Sequence, residues 1–252
     1  MGYFEALDGK RILITGGSSG IGESVARALA GQGARLSLTY HAGRARAEAL
    51  KAELDGTVHL VEADLASPAG VARVARETPQ ALGGLDGVIH AAGAIVRSPL
   101  GADYDDDVFE RVFALNARSI PRLLSALQPH LAKGDDPFVI LTGSIAGRNG
   151  GAPGSGLYAA AKAATHSLTR SLAKEYAHDG IRVNAVAPGV ILTPFHDATP
   201  PDVLEAMRKT IPQGRLGTAE ECVGTFLFLA TAALSAYVTG QIIDVNGGQF
   251  MP

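Results

Sequence analysis

A phenol and an ammonium stand four residues apart in Tyr158-Ala159-Ala160-Ala161-Lys162, a spacing that puts both on one face of a helix. A free tyrosine titrates near about 10, too high for proton transfer at neutrality, but a close cation favours the phenolate and lowers that value. Tyr158 is therefore a candidate general acid or base, although the spacing also describes an ordinary surface pair on an amphipathic helix. Ser144 stands just beyond the apolar run 138–142, at what would be the carboxyl end of a strand. A hydroxyl there could hydrogen-bond a substrate carbonyl, whereas a serine after Gly143 considered alone reads as a turn residue.

A second cluster lies near the start of the chain. The apolar run 10–15 leads into Gly16-Gly17-Ser18-Ser19-Gly20-Ile21-Gly22 and then into a helical pattern, so backbone N–H groups and a positive helix end face whatever occupies the turn. That is an anion site, and its glycines let a pyrophosphate approach the backbone. The same residues also fit G-x-S-x-G, the nucleophile turn of α/β-hydrolases, with Ser18 as nucleophile. Ser18 follows the first strand, which leaves no room for the preceding oxyanion-hole loop, and this disfavours the hydrolase. No H-E-x-x-H occurs and Cys222 is the only cysteine, so no metal site is expected.

These residues must be positioned by regular elements. Val-, Ile- and Leu-rich runs at 10–15, 35–40, 58–62, 87–91, 138–142, 182–186 and 241–245 read as buried parallel strands. Helical periodicity fills the gaps: a segment with Ile21, Val25, Ala28 and Leu29 on one face, closed by Gly31 and Gly33, then 44–54, 68–82, 105–132, 157–178 and 219–234. Phe226, Leu227, Phe228 and Leu229 make the last helix apolar nearly all round, which suits core or a subunit interface. The fold class expected is α/β, a single doubly wound Rossmann domain over 1–252, with about seven parallel strands and helices on both faces. Ligands bind such sheets beyond the carboxyl ends of the strands, where Ser144 and the glycine turn fall.

Composition narrows the class further. The 252 residues are 46% hydrophobic and 19% charged, with mean hydropathy +0.15, enough to bury one large core. A net charge of −3, without long runs of one sign, argues against nucleic acid or an anionic membrane as partner. No apolar run approaches the roughly 18 residues of a membrane span, and a lone cysteine fits a reducing, cytoplasmic location. Glycine is the outlier, 31 residues of 252.

Taken together, the motifs resemble those of the short-chain dehydrogenase/reductase family, in particular its short single-domain members typified by the 3-oxoacyl-acyl-carrier-protein reductases. The resemblance covers essentially the whole chain. Thr15-Gly16-x-x-x-Gly20-Ile21-Gly22, enclosing Ser18 and Ser19, matches the family's dinucleotide turn, and Asp64-Leu65 its adenine contact. Asn116, Ser144, Tyr158 and Lys162 match its catalytic tetrad; Pro188-Gly189, with Ile191 and Thr193, resembles its nicotinamide loop. His90-Ala91-Ala92-Gly93 departs from the usual Asn-Asn-Ala-Gly, and fourteen positions rather than the frequent thirteen separate Ser144 from Tyr158, the stretch 150–156 absorbing the difference. The resemblance implies hydride exchange with a nicotinamide cofactor, with Tyr158 as proton donor, Ser144 polarising the carbonyl, Lys162 lowering the Tyr158 pKa and holding the ribose, and Asn116 supporting a water-linked proton path. A non-catalytic dinucleotide-binding regulator on the same fold is disfavoured by the complete tetrad.

Finer expectations follow. The second strand ends in Thr39-Tyr40-His41-Ala42-Gly43-Arg44, with no carboxylate for a ribose 2′-hydroxyl, so NADP(H) is favoured over NAD(H), with Arg44 and His41 on the 2′-phosphate. The substrate is expected to be a small polar ketone or alcohol such as a sugar, polyol or sugar acid, the alternative being an acyl chain on a carrier protein. Lys133-Gly134-Asp135-Asp136 and Ala177-His178-Asp179 are read as acidic clusters that would repel an acidic carrier. Thr193-Pro194-Phe195-His196-Asp197 reads as a lid, and Arg148 and Asn149 as substrate-facing groups. A homotetramer is expected from the resemblance and from apolar surface on the last two long helices and at Phe250-Met251-Pro252.

Overall fold

Three consecutive apolar side chains, Ile12, Leu13 and Ile14, are fully buried in strand β1 (Arg11–Thr15), which is possible only if both faces of the sheet are covered. In the computed structural model, which describes residues 7–54 and 58–252, they are. Leu13 packs on one face with Val74 of α3 (Pro68–Leu82) and Leu123 of α5 (Ser119–Leu131). Ile12 and Ile14 pack on the other with Val25 of α1 (Gly20–Ala30) and Phe226 of α9 (Ala219–Ala230). The further strands are β2 (Arg35–Tyr40), β3 (Val58–Glu62), β4 (Gly87–His90), β5 (Phe138–Thr142), β6 (Arg182–Pro188) and β9 (Ile242–Val245). All pair in parallel in the order β3-β2-β1-β4-β5-β6-β9. The chain is thus a single Rossmann-like α/β domain, and its strand order reverses between β1 and β4, which opens a crevice at their carboxyl ends.

The seven strands lie within two residues of their expected bounds, while several helices differ. The segment expected as one helix over 105–132 is three pieces: α4 (Asp106–Phe113), a π-helical turn (Ala114–Arg118) and α5. Within the turn the Asn116 carbonyl accepts from the Thr165 hydroxyl at 3.2 Å. The Ser119 hydroxyl donates to the Leu115 carbonyl at 2.6 Å and completes the turn. Helix α7 (Gly156–Glu175) stops before 178, in a 3-10 turn (Ala177–Asp179) closed by Gly180 at φ 71°. The last long segment breaks at the extended Thr231 into α9 and α10 (Ala232–Ser235). Unforeseen were α6 (Ala146–Asn149), α8 (Pro201–Arg208) and a small parallel pair, β7 (Ile191–Leu192) with β8 (Gly217–Thr218), while α2 (Arg44–Glu53) forms as expected.

Candidate active site

The crevice is a cavity of about 1050 Å³ running from the turn after β1, past the ends of β4 and β5, to α8. In that turn Gly16 and Gly20 adopt φ of 64° and 53°, and the Gly16 N–H donates to the Thr39 hydroxyl at 3.0 Å. A Cβ on Gly22 would lie 2.3 Å from the Gly16 carbonyl oxygen, so helix and turn touch backbone to backbone. Ser19, the N-cap of α1, spends no side-chain hydrogen bond on the helix and lines the cavity with Gly16, Gly20, Ile21 and Gly22. Ser18 is buried and, unlike Ser19, lies off the cavity wall.

On the opposite wall, α7 carries Tyr158 and Lys162 side by side, the ammonium 5.6 Å from the ring centroid. Lys162 Nζ donates to the Thr142 carbonyl at the end of β5 at 2.8 Å. Burial drives its pKa down to about 8. Burial also pushes the Tyr158 phenol up to about 12, opposed by a hydrogen bond with the Ser144 hydroxyl. Desolvation thus outweighs the Ser144 hydrogen bond and leaves the phenol protonated, while the Lys162 ammonium is anchored on the Thr142 carbonyl beside it. Ser144 Oγ accepts from the Ala146 N–H at 3.1 Å, while the Ser144 N–H points at His166 Nε2, 3.4 Å away. Burial holds His166 at about 4, neutral and able to accept. Its ring fills the space beside Gly143, where a Cβ would come within 2.4 Å of Nε2.

Asn116 stands behind the wall rather than in it. Its amide donates to the Ala94 carbonyl at 2.9 Å and to the Val112 carbonyl at 2.9 Å, and accepts from the Ala94 N–H at 3.2 Å. It therefore holds the Gly93-Ala94 segment from behind the cavity wall. A Cβ on Gly93 would meet Asn116 Oδ1 at 2.9 Å and Lys162 Nζ at 3.3 Å. His90 is likewise behind the wall, 3.2 Å from the Ser119 hydroxyl, and burial holds it neutral at about 3. Ala91 and Gly93 face the cavity in its place.

The remaining expected contacts divide in the same way. Asp64, Leu65, Pro188, Gly189, Ile191 and Thr193 line the cavity, Thr193 lying over Gly20. His41 lines it too, but Arg44 is turned away into an ion pair with Glu62, which Tyr40 also approaches at 3.2 Å. Arg46, two residues on, takes the place on the wall. Sequence reasoning missed it because helical phase at the start of α2 decides which arginine points in. Arg148 also turns away, to the Ile242 carbonyl and Asp244, while Asn149, Phe195 and His196 line the cavity. Arg97, on the loop after β4, was missed altogether.

The two acidic clusters lie elsewhere. Residues 133–136 lead into β5, where Asp135 is held by Lys10 at the start of β1 and by Asp86 at the start of β4. Residues 177–179 lead into β6, with Asp179 held by Gln128 at 2.5 Å. Both sit at the amino edge of the sheet, opposite the cavity, and cannot repel a carrier at its mouth. No cluster of metal-ligating side chains occurs among the described residues.

Fold and cavity together define a dinucleotide-binding α/β protein with a Ser-Tyr-Lys wall. Comparison with known proteins agrees: the family model described as enoyl-(acyl carrier protein) reductase matches residues 16–249. The chain is 32% identical over 241 residues to a 2-dehydro-3-deoxy-L-rhamnonate dehydrogenase (NAD(+)) of Sphingomonas sp. (strain SKA58), covering 96% of this chain and 95% of that protein. It is 33% identical over 245 residues to a 3-oxoacyl-[acyl-carrier-protein] reductase of Staphylococcus aureus, covering 96% and 98%. The crystal structure of the NADH-dependent reductase A1-R′ complexed with NAD superposes with a TM-score of 0.87 at 38% identity, covering 99% of this chain and all of that one. The protein belongs to the short-chain dehydrogenase/reductase family of oxidoreductases.

Proposed function

We propose that this enzyme interconverts a ketone and a secondary alcohol on a small polar substrate, a sugar, polyol or sugar acid, with NADP(H) preferred over NAD(H). One observation carries the reading: Ser144, Tyr158 and Lys162 share a single cavity with the glycine turn. The turn fits a dinucleotide because Gly16, Gly20 and Gly22, with Gly16 and Gly20 at φ of 64° and 53°, bring bare backbone to the cavity wall at the start of α1. The first-turn N–H groups of α1 would hold the pyrophosphate, and Asp64 and Leu65 would border the adenine. Bound there, the nicotinamide supplies or accepts the hydride.

The chain's own groups handle the proton. Tyr158 stays protonated at neutral pH and so can donate to the carbonyl oxygen. Ser144, hydrogen-bonded to Tyr158, orients that oxygen. The Lys162 ammonium, beside the ring, stabilises the phenolate as it forms. Asn116 keeps Gly93 and Ala94 in place behind the reacting centre.

The cofactor preference rests on Arg46 and His41 at the cavity wall and on the absence of a carboxylate at the end of β2, with Arg46 in the part first given to Arg44. Two of the relatives carry NAD or NADH in their names, so kcat/KM for the two cofactors is the deciding measurement; a tenfold preference for NADH overturns the assignment. Asn149, Thr199, Thr210 and Gln249 at the outer wall suit a hydroxylated substrate. A panel of ketoses, keto acids, polyols and a 3-oxoacyl carrier-protein thioester tests this, and turnover of the thioester alone refutes it. A homotetramer is supported by Tyr237 and Met251, 104% and 77% exposed, and light scattering showing only 25.9 kDa would exclude it. A cytoplasmic location is supported by the single, unpaired Cys222.

A further inference from the structure

Beyond Tyr158 the cavity becomes cationic. Asp64, at the adenine end, is the only carboxylate on its described wall, and none accompanies Tyr158 at the substrate end. Arg97 reaches that end from the loop after β4, braced by one hydrogen bond from Nη1 to the Pro153 carbonyl at 3.3 Å and by no ion pair among the described residues. The brace belongs to the stretch that lengthens the Ser144-to-Tyr158 interval, and the same loop is tied to it again by the Ser98 N–H, which donates to the Gly154 carbonyl at 2.9 Å. From the other side comes His196, at the end of the 3-10 turn Pro194–His196. Its ring lies edge-on to Phe195 at 5.3 Å, and Phe195 lies 5.6 Å from Tyr158, so one aromatic ring separates His196 from the proton donor. His196 Nδ1 is 3.2 Å from the Thr199 hydroxyl; when that hydroxyl donates, Nε2–H is left as a donor.

We propose that Arg97 and His196 form an anion subsite that grips a carboxylate of the substrate, so that the physiological ketone is a keto acid of sugar-like chain rather than a neutral ketose. This rests on the ketone-reductase reading of the same cavity. An arginine braced through Nη1 still offers Nε–H and Nη2–H as two parallel donors to a carboxylate, a geometry that a neutral hydroxymethyl group cannot use. Burial and the Arg97 charge keep His196 neutral, so it contributes a hydrogen bond and leaves the charge to Arg97. A cavity without a carboxylate near that charge gains nothing from a neutral sugar and attracts an anion.

The test compares matched pairs that differ only in a terminal carboxylate, such as 5-keto-D-gluconate against L-sorbose, in wild type, Arg97→Gln and Arg97→Lys. The acid should be preferred in kcat/KM, and Arg97→Gln should cut the acid-over-neutral ratio about tenfold or more through KM, the usual scale of a hydrogen bond to a charged group. Arg97→Lys should restore part of the ratio, and NAD(P)H binding, followed by fluorescence, should not move. Acid and neutral members turned over equally, with a ratio unaffected by Arg97→Gln, would overturn the subsite and leave the ketone-reductase reading standing. Turnover of a carrier thioester with no activity on any ketose or keto acid would overturn both.

Discussion

Lys162→Met should make the nucleotide-free protein more stable while disabling it. The ammonium titrates at 10.5 when exposed and at about 8 in its buried place, so in the folded state it is held charged against its surroundings. With about 1.4 kcal/mol per unit of pKa, the folded protein is destabilised by about 3 kcal/mol once the group is charged in both states. The sign follows from proton counting: between about 8 and 10.5 the unfolded chain binds the proton and the folded chain does not, so stability rises with pH across that window and the full deficit is present below it. Methionine fills a similar volume without charge. It leaves the Thr142 carbonyl without its donor at 2.8 Å, a loss of about 1 kcal/mol. The net gain is then about 2 kcal/mol at pH 7, or about 4–8 °C in Tm for a chain of this size. Differential scanning fluorimetry of wild type and variant between pH 7 and 10.5, without nucleotide, reads it directly. A Lys162→Met protein that melts at or below wild type at pH 7, or a gap that does not shrink as pH rises, would refute the reasoning.

Three further outcomes are expected. Tyr158→Phe should lower kcat about 10²-fold or more with NAD(P)H binding nearly intact, and near wild-type turnover would remove Tyr158 from its role. Gly22→Ala places a methyl 2.3 Å from the Gly16 carbonyl oxygen and should weaken nucleotide binding about tenfold or more by fluorescence titration; an unchanged Kd would show that the turn yields without consequence. His166→Leu strips the Ser144 N–H of its acceptor and should lower kcat about tenfold with KM little changed, His166→Gln retaining more, whereas equal rates for the two variants would make His166 mere filling.

Strands were the most legible part of the sequence, because a strand buried on both faces is a short unbroken apolar run, as Phe138-Val139-Ile140-Leu141 is in β5. Helix breaks were illegible where apolar spacing ran on: nothing in the periodicity of 105–132 marks the turn at Asn116. Motif spacing brought Ser144, Tyr158 and Lys162 to one wall, since each is fixed by the end of β5 or the face of α7. It did not reveal side-chain direction. Ser18, His90, Arg44 and Asn116 hold expected places in the chain yet turn away from the cavity, because neighbours at Ser119, Glu62 and Ala94 claim the last three. The misplaced acidic clusters could have been corrected from sequence alone, since residues just before a parallel strand lie at the edge opposite the ligand.

The π-helical turn Ala114–Arg118 is one residue longer than the α-helical turn it replaces, and so amounts to an insertion retained in a helix. Upstream, Val108 and Val112 face Leu157 and Ala161; downstream, Leu123 and Leu127 face the sheet core. Deleting any one residue between 113 and 119 would let the helix close uniformly and swing one half against the other by about 100°. Both halves cannot then keep their partners, and the Asn116 amide would sweep away from Ala94. In a mutational scan, single-residue deletions here should therefore be far less tolerated than substitutions at solvent-facing positions of the same stretch, such as Arg111 and Arg118, because what must be preserved is the number of residues.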